Sequence, residues 1–479
     1  MEMKFLRETR KLAFLGLLLA TDGLAYLAAI LVGKILPRLF LTALGRAAAP
    51  PLRLDASEAG AGLAFVFVIF AFEKLYVRRF GFWEETRHII KALTLSFLLL
   101  GLIELFPGTR TSNSLSGLIL AWAAGLAFFP LLRRLVKTVF HGLGLWNKRV
   151  LVLGANPMAR AAAGLLATDT MRGYRIVGFL AEEGEAADTA GDFPVLGRVE
   201  DLTEESMRAW GARDIFIVLP DASTDRLIEI ARRAEPLAET LKILPPLGSL
   251  NRLGVEVDMV GDILTLAVTR NLLKPWNILA KRGFDLVFAA FLFVTLAPLL
   301  LLLGLAVAID SRGPIIFRQS RLGRNDRLFT ILKFRSMHVD AEGRLAAFLA
   351  SHPQARLELQ KFRKLKSADP RTTRIGRLIR KRSLDELPQL LNVLRGQMSL
   401  VGPRPYLPEE KPVRDGLSGV LSLVPPGITG RWQIDGRNER TFEERVRIDD
   451  AYVRNWSLWL DIIILFKTFG VWIKGRGAC

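Results

Sequence analysis

Apolar residues lie along this chain in two kinds of block: long uninterrupted runs, and short runs separated by polar stretches of helical period. Four long runs come first, at roughly 12–36, 59–77, 89–106 and 115–132. Each approaches the ~20 residues that carry a helix across ~30 Å of hydrocarbon. They predict a four-helix transmembrane bundle over 1–140. The first run is longer than the apolar core of a secretory leader and lacks a small-residue cleavage site, so it reads as a mature span. Asp22 and Lys34 interrupt it, as bundle-facing or snorkelling residues.

From Lys148 the period changes. Residues 149–154 read as a buried parallel strand, 157–167 as a helix, and 175–179 and 214–219 as further strands, the alternation closing near Pro245-Pro246. This predicts a Rossmann-like α/β domain, 147–265. Its first turn, Gly154-Ala155-Asn156-Pro157-Met158-Ala159, keeps one glycine of the dinucleotide fingerprint but puts Asn156 where backbone must approach a pyrophosphate. A regulatory or packing domain without NAD(P) is therefore expected.

After a linker at 266–280, a fifth apolar run fills 281–310 with Pro298 near its centre. Lys274, Lys281 and Arg282 on one flank face Arg312, Arg318, Arg321 and Arg324 on the other. Two basic flanks and a central helix breaker predict a re-entrant helix bent at Pro298, the alternative being an ordinary kinked span. The remainder, 311–479, reads as a mostly helical catalytic domain, ending in an interfacial helix over 456–473 that Asp461 and Lys467 interrupt.

Charge sharpens the picture. The chain is apolar on average, with a mean hydropathy of +0.28, yet its formal net charge is +19, so apolar spans alternate with basic surface that seeks anionic partners. Nucleic acid is not expected, because the basic stretches lack interleaved stacking aromatics and no DNA-binding pattern occurs. Basic residues cluster before the first run, between the second and third, and after the fourth. The positive-inside bias then places both ends of the bundle in the cytoplasm, although Arg38, Arg46 and Arg53 weaken the contrast. The sole cysteine, Cys479, excludes an intrachain disulfide, and the four histidines show no metal-ligand spacing. No Walker A loop is present.

Candidate chemistry lies beyond Asp310. Arg312 to Arg335 holds seven basic residues and one acid, and Arg356 to Arg382 eleven basic residues and two acids. Converging guanidinium groups match phosphate oxygens bidentately. Within this field Ser383-Leu-Asp385-Glu386-Leu-Pro388 opens an amphipathic helix running to Leu394. Ser383 and Glu386 have capping-box spacing, and Asp385 could itself be the N-cap. An aspartate at a helix start also suits a nucleophile facing a phosphoryl group, and Glu386 can offer Mg²⁺ a hard oxygen ligand. Arg404, set between Pro403 and Pro405, reads as a pre-set anion clamp. Arg437, in Gly436-Arg437-Asn438, is a further candidate for phosphate or sugar.

Six motifs in order carry a resemblance: Lys281-Arg282-x-x-Asp285, Asp310-Ser-x-Gly-Pro314, Lys333-Phe-Arg-Ser-Met337, Ser383-Leu-Asp-Glu-Leu-Pro-Gln-Leu390, Val401-Gly-Pro-Arg-Pro405 and Pro426-Gly-Ile-Thr-Gly430. Together they closely resemble the bacterial polyprenyl-phosphate hexose-1-phosphate transferases, in their large, membrane-bundle form. Ala297 stands before Pro298 where related small members have serine. The resemblance implies an enzyme of the inner membrane whose catalytic domain faces the cytoplasm. It implies UDP-hexose as donor, galactose ahead of glucose, undecaprenyl phosphate as acceptor, and UMP as the released product. The alternative is a non-catalytic scaffold or sensor for polysaccharide assembly. It further implies Asp385 as nucleophile, Glu386 as the Mg²⁺ ligand, and Arg380 and Arg404 as phosphate-binding, in a protein suggested to be a homodimer; Lys333, Arg335, Arg382 and Arg437 complete the substrate-binding candidates.

Overall fold

The computed structural model describes residues 2–44, 56–103, 115–185, 193–244, 255–260, 263–268, 271–352, 369–434 and 441–474, without the side chains of 2–11, 56–58, 255–268, Leu273 and 472–474. The chain forms two compact units, Met1–Leu247 and Gly248–Cys479.

The first unit opens with helices α1 (Glu2–Ala43), α2 (Ala56–Phe72), α3 (Phe82–Ile103) and α4 (Leu115–Gly142). Their apolar faces meet around Tyr26, Val66, Phe70, Leu93 and Phe129. Among the described residues three of them, α1, α3 and α4, are long and apolar enough to cross a membrane. The second apolar run falls short of its predicted end at 77. Lys74 takes φ 58° and the Leu75 N–H closes on the Phe70 carbonyl, which stops α2 at Phe72. Its 17 residues rise only about 26 Å.

The polar interruption of α1 is a core element. Arg133 of α4 grips both oxygens of Asp22, at 2.8 and 2.6 Å, and donates to Glu85 of α3 at 2.8 Å. Lys137 donates to Glu85 at 2.7 Å and the Tyr76 hydroxyl to Asp22 at 2.8 Å. Asp22, Glu85, Arg133 and Lys137 are all essentially buried. Two carboxylates balance two cations, the condition under which an apolar bundle tolerates ionised groups.

Arg79 ties the turn after α2 to the α/β domain, donating to the carbonyls of Trp146, Arg172 and Gly173 while its guanidinium stacks 3.9 Å from the Trp146 ring centroid. That domain carries β1 (Lys148–Leu153), α5 (Pro157–Thr168), β2 (Tyr174–Ala181), β3 (Val195–Arg198), α6 (Glu204–Trp210), β4 (Asp214–Ile217), α7 (Thr224–Ala234) and β5 (Thr240–Ile243). The strands form one sheet in the order β3-β2-β1-β4-β5, every pair parallel. This is the doubly wound arrangement the alternation predicts. The two edge strands escape the apolar pattern because neither contains a buried residue.

The turn after β1 is plugged from within. Asn156 caps α5 by accepting the Ala159 N–H, and its amide reaches Val218 O and Glu185 Oε1. Glu185 Oε2 accepts the N–H groups of Ala155 and Glu182 at 2.7 and 3.0 Å. A side-chain carboxylate thus occupies the backbone donors that a pyrophosphate would need.

The second unit starts with an antiparallel hairpin, β6 (Val255–Val260) and β7 (Ile263–Val268), in the stretch read as the end of the α/β domain and the linker. Helix α8 (Pro275–Thr295) begins inside that same stretch, and α9 (Ala297–Asp310) follows at a bend of 62°. The chain breaks at Leu296, two residues before Pro298, where the missing proline N–H and the Thr295 hydroxyl, bonded back to Phe291 O at 2.8 Å, both weaken the helical ladder. Apolar side chains point outward along the bent pair, Val294 being 70%, Leu301 76% and Ile309 77% exposed.

Next come the hairpin β8 (Ile316–Leu322) and β9 (Leu328–Phe334), then α10 (Ala341–Ser351), α11 (Arg374–Lys381), a 3₁₀ segment Leu384–Gln389 and α12 (Leu390–Leu394). Short parallel strands β10 (Ser399–Val401) and β11 (Gly427–Thr429) complete the frame. Leu322, Ile331, Leu390, Val393, Leu400 and Tyr452 pack in its core. The terminal helix Leu458–Lys474 is anchored there too. Asp461 is fully buried, 2.8 Å from Lys281 Nζ and bonded by Tyr452 and Trp456.

Candidate active site

Several motif residues serve as scaffold that aims one short turn. Arg282 of α8 donates to the carbonyls of Val393 and Leu394 at 2.6 and 3.0 Å, capping α12. Asp285 accepts the Ser399 hydroxyl and the Leu400 N–H, fixing β10. The fully buried Asn392 accepts the Leu332 N–H and donates to Thr330 O, locking β9 against α12. Asp310 caps α11 by accepting the Ile375 N–H. The turn that carries Asp385 and Glu386 is therefore held from both sides.

The turn differs from its sequence reading. Ser383 adopts φ 50° and makes no side-chain cap, so the capping box does not form. Residues 384–389 wind as a 3₁₀ helix because Pro388 lies inside the first turns and supplies no N–H. This tighter coil leaves Asp385 9% exposed beside Glu386. Burial, and next the Glu386 carboxylate, push the Asp385 carboxyl up to about 6, against the pull of Lys333 and Arg380. Lys333 reaches across from β9 to Glu386 Oε1 at 2.7 Å.

A second wall comes from the two glycine-proline loops, which form one unit. Gly402 N–H donates to Thr429 O, and Gly427 N–H to Pro403 O at 2.8 Å. A Cβ on Gly402 would lie 2.7 Å from Gly427 N, so only glycine permits this approach. The paired loops present Arg404, whose N–H is accepted by buried Asp449 at 2.9 Å. Tyr406 OH donates to the same Asp449 oxygen. The Arg404 guanidinium lies 5.7 Å from the Trp432 ring centroid and 3.9 Å from Glu410. Burial pushes Asp449 up to about 7, opposed by those two hydrogen bonds and the Arg404 charge.

A cavity of about 260 Å³ opens beside these loops, lined by Lys281, Arg282, Gly402, Pro403, Pro425 and Tyr452. It lacks both Asp385 and Glu386, so it does not mark the chemistry.

The comparisons with known proteins now bear on this arrangement. The bacterial sugar transferase family profile matches residues 276–475. A UDP-galactose-lipid carrier transferase of Erwinia amylovora is 36% identical over 84% of this chain and 84% of its own. An undecaprenyl-phosphate galactose phosphotransferase of Salmonella typhimurium is 34% identical over the same shares. The chain belongs to the bacterial sugar transferases. An undecaprenyl-phosphate glucose phosphotransferase of Komagataeibacter xylinus is also similar, 35% identical over 69% of this chain and 60% of that protein.

In this sugar transferase the expected site residues divide. Asp385, Glu386, Lys333 and Arg380 share one electrostatic neighbourhood. Arg321 connects them to the clamp, since its side chain donates to the Pro405 carbonyl next to Arg404 and its charge interacts with both Arg404 and Glu386. Arg335 is a correction. It is 5% exposed and donates to the Pro314 carbonyl and to Ser311, so it braces the loop after α9. Arg382 is exposed at the end of α11. Arg437 lies outside the described residues. Sequence reasoning missed Asp449 and Tyr406, which position Arg404. Only their burial distinguishes them, and no local motif carries that signal.

Proposed function

We propose that this chain transfers hexose 1-phosphate from a UDP-hexose to undecaprenyl phosphate on the cytoplasmic face of the bacterial inner membrane, opening surface-polysaccharide synthesis such as O-antigen. The observation that carries the reading is Asp385, buried at the start of a 3₁₀ turn with Glu386 beside it and Lys333 and Arg380 within electrostatic reach. The relatives' names support the substrates, and galactose is favoured because two relatives matched over 84% of this chain are named for it.

Asp385, with a carboxyl more basic than usual, attacks the β-phosphorus of the donor. A bond forms from its carboxylate oxygen to phosphorus, the bridging P–O bond breaks, and UMP leaves with the electron pair. An oxygen of undecaprenyl phosphate then attacks the same phosphorus and expels the Asp385 carboxylate, giving undecaprenyl diphosphate-hexose. Lys333 and Arg380 supply positive charge where negative charge concentrates, and Arg404 clamps a phosphate. Adjacent carboxylates at 385 and 386 fit a Mg²⁺ site, since Mg²⁺ binds through one or two carboxylates plus substrate phosphates. Glu386 would hold the ion, which would neutralise diphosphate charge. The bent pair α8–α9 is read as entering and leaving one leaflet, which keeps this site in the cytoplasm.

The test is a rapid-quench assay with UDP-galactose and UDP-glucose before lipid is added. A stoichiometric burst of UMP, with β-phosphate label retained on the protein, is expected from wild type and absent from Asp385→Asn. UMP release that requires both substrates, with no retained label, would favour direct attack by the lipid phosphate.

A further inference from the structure

Arg321 lies outside the six motifs and reads from the sequence only as part of a basic flank. On β8 it pairs with Phe329 of β9, while Phe317 pairs with Lys333. Residues two apart on a strand share a face, as do cross-strand partners, so Arg321, Gln319 and Lys333 lie on one face of the hairpin. Lys333 on that face already touches Glu386.

The Arg321 side chain is held firmly. One Nη donates to the Pro405 carbonyl at 3.1 Å, directly after Arg404, and the other to Gln319 Oε1 at 2.8 Å. Its Nε–H is buried and has no hydrogen-bond partner among the described residues. Both bonds go to neutral oxygens, and the group interacts unfavourably with the Arg404 guanidinium, the compensating charges being Glu410, Glu386 and Glu409. A partly desolvated cation fixed beside another cation is costly for folding. An anion placed between the two guanidinium groups removes that cost, and phosphate oxygens are the anions such forks fit.

Building on the reading of this site as a sugar-phosphate transferase, we propose that Arg321 is a phosphate-binding residue that acts with Arg404 on phosphate oxygens of the donor diphosphate or the lipid phosphate. The residue is pre-positioned by the Pro403-Arg404-Pro405 loop, so clamp and hairpin close on the same group.

The experiment uses the full-length protein in nanodiscs and compares wild type, Arg321→Gln and Arg321→Lys. Arg321→Gln removes the charge and leaves a neutral amide on a shorter stem, while Arg321→Lys keeps the charge without the fork. KM is measured separately for UDP-hexose and undecaprenyl phosphate. Arg321→Gln should raise one of them roughly 10- to 100-fold, the range for a charge-assisted hydrogen bond, with thermal unfolding unchanged. Arg321→Lys should recover part of the loss. The substrate whose KM moves identifies the phosphate bound.

Unchanged KM values for both substrates overturn the assignment, as does equal loss in both variants accompanied by lowered thermal unfolding, which marks a structural residue. A thermal-shift titration with inorganic pyrophosphate separates this idea from the reaction itself. If wild type releases no UMP, yet pyrophosphate stabilises wild type and not Arg321→Gln, the phosphate site stands and the transferase reading falls. If pyrophosphate stabilises neither and wild type turns over with unaltered KM in the variant, the site falls and the transferase reading stands.

Discussion

Replacing Asp385 by asparagine should stabilise the folded protein at neutral pH while abolishing its chemistry. Burial first, then the Glu386 charge, move the carboxyl from 3.8 to about 6. At ~1.36 kcal/mol per pH unit, holding Asp385 ionised costs the metal-free fold about 3 kcal/mol. The sign follows from linkage. A carboxyl whose folded pKa is raised contributes its stability fully below 3.8 and loses it as pH rises through about 6. Above pH 7 the wild type therefore bears the whole penalty and the neutral amide does not. For a unit of this size ~1 kcal/mol moves a melting midpoint by ~2–4 °C, so Asp385→Asn should melt several degrees higher at pH 8. The gap should close below pH 4. The assay is tryptophan-fluorescence melting of the full chain from about pH 3 to pH 8 with EDTA present, so that no metal ion adds charge at Glu386. A variant less stable than wild type at pH 8, or a difference that ignores pH, would refute the reasoning. Glu386→Gln, which removes the second cause of the shift, should narrow the gap.

Arg133→Met leaves Asp22 and Glu85 buried with their main partner gone, a loss of ~3–5 kcal/mol. Thermal inactivation should quicken and membrane yield fall, and wild-type levels of both would argue that water reaches the network. Millimolar NAD⁺ or NADH should leave thermal unfolding unmoved, because Glu185 holds the Ala155 N–H; a saturable shift would count against the plug. Asp461→Leu strips Lys281 of its 2.8 Å partner, so hydrogen exchange over 458–471 should speed up, and unchanged protection would disprove the anchor. A cysteine introduced at Arg377 should react with a membrane-impermeant maleimide only in inverted vesicles. Labelling in intact spheroplasts would turn α8–α9 into a true crossing.

Periodicity and local chemistry determined much of this protein from the sequence. Runs of apolar residues long enough for a bilayer leave few alternatives to membrane helices, and strand-helix alternation fixed the order of the α/β domain because each element signals its period locally. The Asp385-Glu386 pair was legible for a similar reason, since proline and two acids in one turn are a local pattern. What the tertiary structure decided is which charges meet. Asp22 and Arg133 are far apart in the chain and find each other only through helix packing. Arg335 and Arg404 look alike as basic residues inside motifs, yet one is tied to Ser311 and Pro314 while the other is held out from its loop by Asp449, near Trp432 and Glu410. Lys281 and Asp461 read as positive flank and helix interruption until folding buries them together. A side chain's role depends on its dielectric surroundings and its nearest opposite charge, and both are set by residues distant in sequence.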